Sequence, residues 1–176
     1  MKGLVIYKGR YGATKQYAMY IGHELGLPVA SADRFPADEL PKYDYFIIGS
    51  SVYIGKLEIK KWLKKNLDIL ANKKIYLFQV AASPVSDTEK RESYNSQSIP
   101  LPIKVKCFYL PGRMIMRNLD WFDRFMLKMG ARLTKDKNEK TRMLTDFNEV
   151  KQEYIYPLVY AVKSFTQLYE PKKEPV

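Results

Sequence analysis

The stretch that most constrains this chain is Leu4-Val-Ile-Tyr-Lys-Gly-Arg-Tyr-Gly-Ala-Thr14. Residues 4–7 are apolar and β-prone, so they read as a buried strand. Gly9 and Gly12 then reach positive φ without strain, which a tight loop needs. From Thr14 the period becomes helical, with Ala18, Ile21 and Leu25 on one face. A strand, a glycine loop and a helix start aim backbone N–H groups and a positive helix end at one point. That point is a ready anion site, and phosphate is its usual occupant. Neither G-x-x-x-x-G-K-[ST] nor G-x-G-x-x-G occurs, so two familiar nucleotide loops are excluded.

The same alternation continues along the chain. Strands are expected at 3–7, 27–30, 44–49, 74–81 and 104–110, with helices at about 13–25 and 58–70. Residues 37–41 read as a loop with room for one turn, and 83–88 begin another. Residues 89–97 are polar and at most a short helix, stopped by Pro100 and Pro102. A second organised helix is expected over 113–133, then a charged linker over 135–140. Asp146 with Glu149 suggests a capping box opening a last helix, which Pro157 should kink. Residues 1–170 read as one domain, and 171–176 as a frayed tail. Strands alternating with helices argue for a parallel sheet covered on both faces. The expected fold is α/β and doubly wound, a five-stranded parallel sheet of order 2-1-3-4-5. Its ligand would lie beyond the carboxyl ends of the strands, where loops 8–14, 50–55 and 81–87 converge.

Charge placement narrows the classes of partner. The net charge is +11, and residues 56–74 and 104–142 carry +5 and +7, leaving −1 for the remainder. Such clusters are either a plain solvated basic surface or suit an anionic membrane surface, nucleic acid or an acidic substrate. Nucleic-acid binding would want aromatics interleaved with the basic stripe, and only Trp121 qualifies, so no nucleic acid is expected. No apolar run approaches the roughly 20 residues of a membrane span. No signal peptide is expected, and one cysteine, Cys107, fits a reducing compartment. With one histidine, His23, a His/Cys metal site is not expected. His23 reads as structural and Cys107 as a packed strand residue.

The pattern x-x-R-x-G-x-T after the first strand resembles the phosphate loop of flavodoxin-like proteins, which hold FMN. Ile48-Gly-Ser-Ser-Val-Tyr-Ile-Gly-Lys resembles the G-[AS]-S-[IV]-x-x-G segment of one subgroup. Asn118-Leu-Asp-Trp-Phe-Asp-Arg-Phe-Met-Leu-Lys-Met129 resembles that subgroup's W-[FY]-D-R-F-M-x-K segment. The subgroup is the flavodoxin-type, menaquinone-dependent protoporphyrinogen dehydrogenase. The similarity spans nearly the whole chain, including Thr145-Asp-Phe at the expected start of the last helix.

The resemblance implies a flavodoxin-like three-layer sandwich holding FMN. It also implies oxidation of a porphyrinogen and delivery of electrons to a quinone, in heme biosynthesis. Its cofactor residues would be Lys8, Gly9, Arg10, Tyr11, Gly12, Ala13 and Thr14 at the phosphate, with Thr14 also capping the first helix. Ser50, Ser51, Val52 and Tyr53, the last stacking on the ring, would meet Ala81, Ala82, Ser83 and Asp87 around the flavin. Flavodoxins usually place hydroxyls early in the phosphate loop. Here Lys8 and Gly9 stand there, and Lys8 and Arg10 would substitute charge. No catalytic acid or base stands out.

The stretch 113–133 would form a basic amphipathic helix after the fifth strand. Arg117, Arg124, Lys128 and Arg132 fall within about 80° of one another, with Trp121 on the same side. Leu119, Phe122, Met126, Met129 and Leu133 fall opposite. Such a helix either lies in a membrane interface or docks its apolar face on its own domain. The expected setting is therefore cytoplasmic, with peripheral contact at the anionic inner face of the membrane. The competing function is a flavodoxin-type electron carrier, though carriers of that kind are usually acidic.

Overall fold

Strand and helix alternate as the periodicity requires. The computed structural model describes residues 1–83 and 86–169. It runs β1 (Gly3–Lys8), α1 (Ala13–Leu25), β2 (Val29–Ser31), β3 (Tyr45–Tyr53), β4 (Lys56–Leu57), α2 (Lys60–Lys65), α3 (Leu67–Leu70) and β5 (Lys74–Ala81). Then follow α4 (Thr88–Ser96), β6 (Val105–Pro111), β7 (Arg113–Met114), α5 (Trp121–Leu133), α6 (Lys137–Leu144), β8 (Phe147–Asn148) and α7 (Tyr156–Tyr169). The main sheet has the order β2-β1-β3-β5-β6, all pairs parallel, with β4 turning back antiparallel on the end of β3. This is the expected five-stranded order 2-1-3-4-5 of a flavodoxin-like three-layer sandwich.

Alternation along the strands divides the core in two. Val5, Ile47, Phe78 and Val80 face Tyr17, Ile21, Leu158 and Val162 of α1 and α7. Leu4, Ile6, Phe46, Ile48 and Leu77 face the other way, onto Leu63 of α2 and Leu70 of α3. Each such side chain contributes roughly 1.5–3 kcal/mol when fully buried, so both helix layers are held by apolar packing.

Several boundaries differ from expectation for local reasons. The second strand shifts to Val29–Ser31, and the turn expected within the loop at 37–41 is a 3-10 helix over Ala37–Lys42. The helix expected at 58–70 breaks at Asn66 into α2 and α3. The third strand runs on to Tyr53, so Ser50 and Ser51 are strand residues. The helix expected over 113–133 begins only at Trp121, capped by Asp120, whose side chain accepts from the Asp123 N–H at 2.8 Å. Before it, Arg113–Met114 pairs antiparallel with Phe147–Asn148.

The linker expected at 135–140 is mostly α6, capped by Asp136. Asp146 and Glu149 form no capping box. Asp146 accepts from the Met116 N–H at 2.7 Å, and Glu149 takes both arms of Arg142 at 2.8 and 2.6 Å. The last helix starts at Tyr156, which puts Pro157 in its first turn. There its missing N–H removes no bond and causes no kink. The tail expected to fray, 171–176, lies outside the described residues, as do 84 and 85 of the third loop.

Candidate functional site

The loop after β1 closes tightly on the start of α1. Gly12 is the N-terminal cap residue, with φ +84°, and no side chain caps the helix. Thr14, expected as the cap, is instead the second helical residue and 2% exposed. Gly9 has no positive φ. It is required for proximity: a Cβ there would sit 2.6 Å from Thr14 Oγ1 and 3.3 Å from Ser51 Oγ. Gly9, Thr14 and Ser51 therefore crowd one point. Ser51 Oγ is buried and has no hydrogen-bond partner. A buried polar atom without a partner is rare and asks for one.

Arg113 completes this point. Its Nη2 donates to the Tyr11 carbonyl at 3.2 Å and its Nη1 to Gln16 Oε1 at 3.2 Å. Nη2 lies 3.0 Å from where a Gly12 Cβ would stand. An uncapped helix N-terminus, an unpartnered hydroxyl, a buried threonine and a guanidinium together fit a phosphate monoester. Lys8 is not part of this: its Nζ donates to Asp33, beyond β2. Ser50 is not either. It is fully buried, donating to the Ser51 carbonyl at 2.9 Å and accepting from the Ile59 N–H at 3.1 Å.

Next to the phosphate point lies a cavity of about 380 Å³, within the usual range for a small-molecule site. Ser51, Val52 and Tyr53 form one wall, and Val80, Ala81 and Ala82 another. The three strand-end loops thus meet, as the topology requires. Ile54 sits at φ +46° in the turn from β3 to β4, a strained setting for a β-branched residue. The third loop is held by two arginines. Buried Arg91 donates to the carbonyls of Leu110 and Ser83, and Arg142 Nε donates to the carbonyl of Ala82. Asp87 caps α4, accepting from the Lys90 N–H at 3.3 Å, and faces a second cavity rather than the first.

The remaining wall comes from Leu119, just before α5, and from Asp123, Met126 and Leu127 on α5. The Asp123 carboxylate accepts from Tyr11 of the first loop and, at 2.7 Å, from Tyr53 of the second. Burial, then the Asp123 bond, pushes the Tyr11 phenol up to about 12. The Asp123 bond is the main cause of the raised pKa of Tyr53. Arg10 donates to Glu58 at 2.9 Å, approaches Asp123 at 3.6 Å and lies 3.7 Å over the Tyr53 ring. One face of Tyr53 is thus taken by Arg10, and both residues line the first cavity. Glu58 holds the Arg10 guanidinium firmly in its charged form.

Sequence reasoning left Arg113 and Asp123 without a role. Arg113 directly follows the last sheet strand, where loops collect ligands, and that position was the available signal. Nothing local marked Asp123 as an inward carboxylate. The other titratable groups noted earlier stay apart: His23 is exposed on α1, and Cys107, in β6, is raised to about 11 by burial.

A second cavity, of about 920 Å³, adjoins the first, sharing with it the ends of β3 and β5 together with Met114, Leu127 and Met143. Lys90, Tyr94, Arg142 and Phe147 line its outer part.

A flavodoxin-domain family model matches residues 4–141. The protoporphyrinogen IX dehydrogenase (quinone) of Escherichia coli K12 is 27% identical over 168 residues, covering 85% of this chain and 91% of that protein. Among solved structures, an archaeal flavodoxin is 21% identical, covering 67% of this chain and 88% of that one, with a TM-score of 0.45. A Lactobacillus acidophilus NCFM flavoprotein in complex with FMN is 18% identical, covering 61% and 91%, with a TM-score of 0.47.

Proposed function

The chain belongs to the flavodoxin domain family, and from that premise we propose an FMN-dependent oxidoreductase that oxidises a porphyrinogen-type substrate and passes the electrons to a quinone. When bound, the flavin supplies the two-electron acceptor that no side chain provides. The protein's residues bind and orient. The α1 N-terminus, Thr14, Ser51 and Arg113 would hold the phosphate. Tyr53 would pack on the ring, and the chain at Ala81 and Ala82 would line its edge. Asp123 fixes the Tyr53 hydroxyl and so sets the plane of that ring.

The observation that carries the enzyme reading over a carrier is the second cavity. A carrier needs only an exposed ring edge, whereas about 920 Å³ beside the flavin cavity leaves room for a large substrate. Its wall carries Lys90 and Arg142, each paired with a glutamate, beside Asp87, Asp136 and Glu139, so size rather than net charge is what the cavity offers such a substrate. The similarity to a protoporphyrinogen dehydrogenase across 91% of that protein supports the substrate class. A quinone dissolved in a bilayer also implies peripheral contact with a membrane. No helix among the described residues is long and apolar enough to cross one.

Steady-state turnover tests this. FMN-loaded protein with protoporphyrinogen IX and a water-soluble quinone should form porphyrin and reduced quinone in equal-electron amounts. FMN bound tightly with no porphyrin formed above the uncatalysed rate would refute the enzyme and leave an electron carrier.

A further inference from the structure

Helix α5 docks by a narrow stripe. Asp123 and Ala131 are buried, and Leu127 and Gly130 half-buried. Its other large apolar side chains face outward: Trp121 is 76% exposed, Phe125 52% and Leu133 77%, with Phe122 and Met129 just above 40%, while Met126, also just above 40%, stands at the edge and lines the first cavity as well. Of the two expected settings, a helix that docks its apolar face on its own domain is therefore not what the structure shows. Both faces are outside, and a third, centred on a carboxylate, is inside. At 100° per residue the five residues from Phe122 to Leu133 fill an arc of about 100°. Arg124, Lys128 and Arg132 fill the next 80° or so, around Trp121.

Single exposed apolar residues need no explanation, but a contiguous patch rimmed by polar groups marks a contact surface. The rim identifies the contact here. None of Arg117, Arg124, Lys128 and Arg132 is in an ion pair among the described residues. A second copy on the same face would set two basic rims against each other, which costs energy. An anionic lipid surface complements every one of them. A flat apolar arc beside long cationic side chains and a tryptophan is also the arrangement that lies in a bilayer interface.

We propose that α5 is an interfacial anchor that inserts Phe122, Phe125, Met129 and Leu133 among the acyl chains of an anionic membrane. Arg124, Lys128 and Arg132 meet the lipid phosphates. The opposite stripe of the same helix lines the cofactor cavity, so docking would hold that cavity about one helix diameter, roughly 10 Å, from the bilayer. The purpose of the anchor, access to a lipid-dissolved acceptor, rests on the function proposed above; the binding itself does not.

The test uses the full chain and vesicles of phosphatidylcholine alone or mixed equally with phosphatidylglycerol. Wild type should sediment with the mixed vesicles. A share of that binding should survive 1 M salt, because insertion is not screened while pairing with phosphates is. The F125S/M129S/L133S variant, all at exposed positions, should bind at least about tenfold more weakly. In a Trp62→Phe background, Trp121 fluorescence should be quenched by lipids brominated on the acyl chain. Equal sedimentation with both vesicle types, an unquenched Trp121, or a triple variant that binds like wild type would each overturn the anchor. So would concentration-dependent dimerisation abolished by the same substitutions without vesicle binding, which would assign the face to a second copy. Turnover with a soluble quinone and no vesicles should be unchanged in the triple variant. Its absence in wild type would count against the proposed function and leave the anchor standing.

Discussion

Gly9→Ala is the sharpest perturbation of the proposed cofactor site. A Cβ at this position would lie 2.6 Å from Thr14 Oγ1 and 2.9 Å from Thr14 Cβ. The first of these atoms belongs to a rotatable hydroxyl, but the second is fixed to the helix backbone, so the first turn of α1 must shift. Overpacking of this kind costs about 1–3 kcal/mol. The shift also moves Thr14 and the first helical N–H groups away from the phosphate. Losing one hydrogen bond to a charged group is worth about 1.5–3 kcal/mol. FMN should therefore bind roughly 10- to 150-fold more weakly, measured by quenching of flavin fluorescence during titration.

Gly26→Ala provides the control. Its φ is +63°, yet nothing lies within 4 Å of the new Cβ. It should cost about 1 kcal/mol of left-handed strain in urea unfolding and leave FMN affinity untouched. If Gly9→Ala bound FMN within twofold of wild type, the phosphate would not lie against Thr14, and the site as built would be wrong.

Arg113→Gln should weaken FMN by about tenfold or more while leaving riboflavin affinity, which has no phosphate to lose, unchanged. Calorimetric titration with both flavins measures this. Asp123→Ala leaves the Tyr11 and Tyr53 hydroxyls without their acceptor and should cost about 2–3 kcal/mol in urea unfolding. A double-mutant cycle with Tyr53→Phe should return a coupling above about 0.5 kcal/mol. Alkali should expose Tyr17, whose buried phenol donates to the Pro111 carbonyl at 3.0 Å and is pushed from 10.0 up to about 12 by burial. The fold favours the neutral form, so this contribution is complete below pH 10 and is lost as pH rises toward 12. Tyr17→Phe should show a smaller fall in urea midpoint over that range than wild type.

The sheet and its ligand edge were legible because they depend on local patterns. The runs at 4–7, 45–49 and 75–78 are unbroken apolar stretches, as strands covered on both faces require, and the glycine loop marks where the ligand edge lies. Between 113 and 156 only the helix over 121–133 was legible. The two-residue ladder there joins Arg113–Met114 to Phe147–Asn148, too short to leave any periodicity. Asp146 looked like a helix cap but serves a backbone N–H thirty residues earlier in the chain. Pro157 looked like a kink because the start of its helix was placed too early.

The face of α5 was hidden for a deeper reason. Pattern reasoning puts carboxylates in water and apolar arcs inside. Here Asp123 goes inside because two tyrosine hydroxyls, 112 and 70 residues away in sequence, compensate its desolvation. No local signal encodes partners at that separation. Arg113 was assigned to a helix, and its strand setting was what would have directed it to the loop.

The claim at the centre is that FMN in the first cavity takes electrons from a substrate in the second. Anaerobic mixing of FMN-loaded protein with protoporphyrinogen IX at three flavins per porphyrinogen, with no quinone present, measures that step alone, because the six-electron oxidation to porphyrin fills three two-electron flavins. Full loss of the oxidised-flavin absorbance, with one porphyrin formed for every three flavins reduced, is the predicted result. Flavin that stays oxidised over many minutes, yet is reduced at once by dithionite, would contradict it.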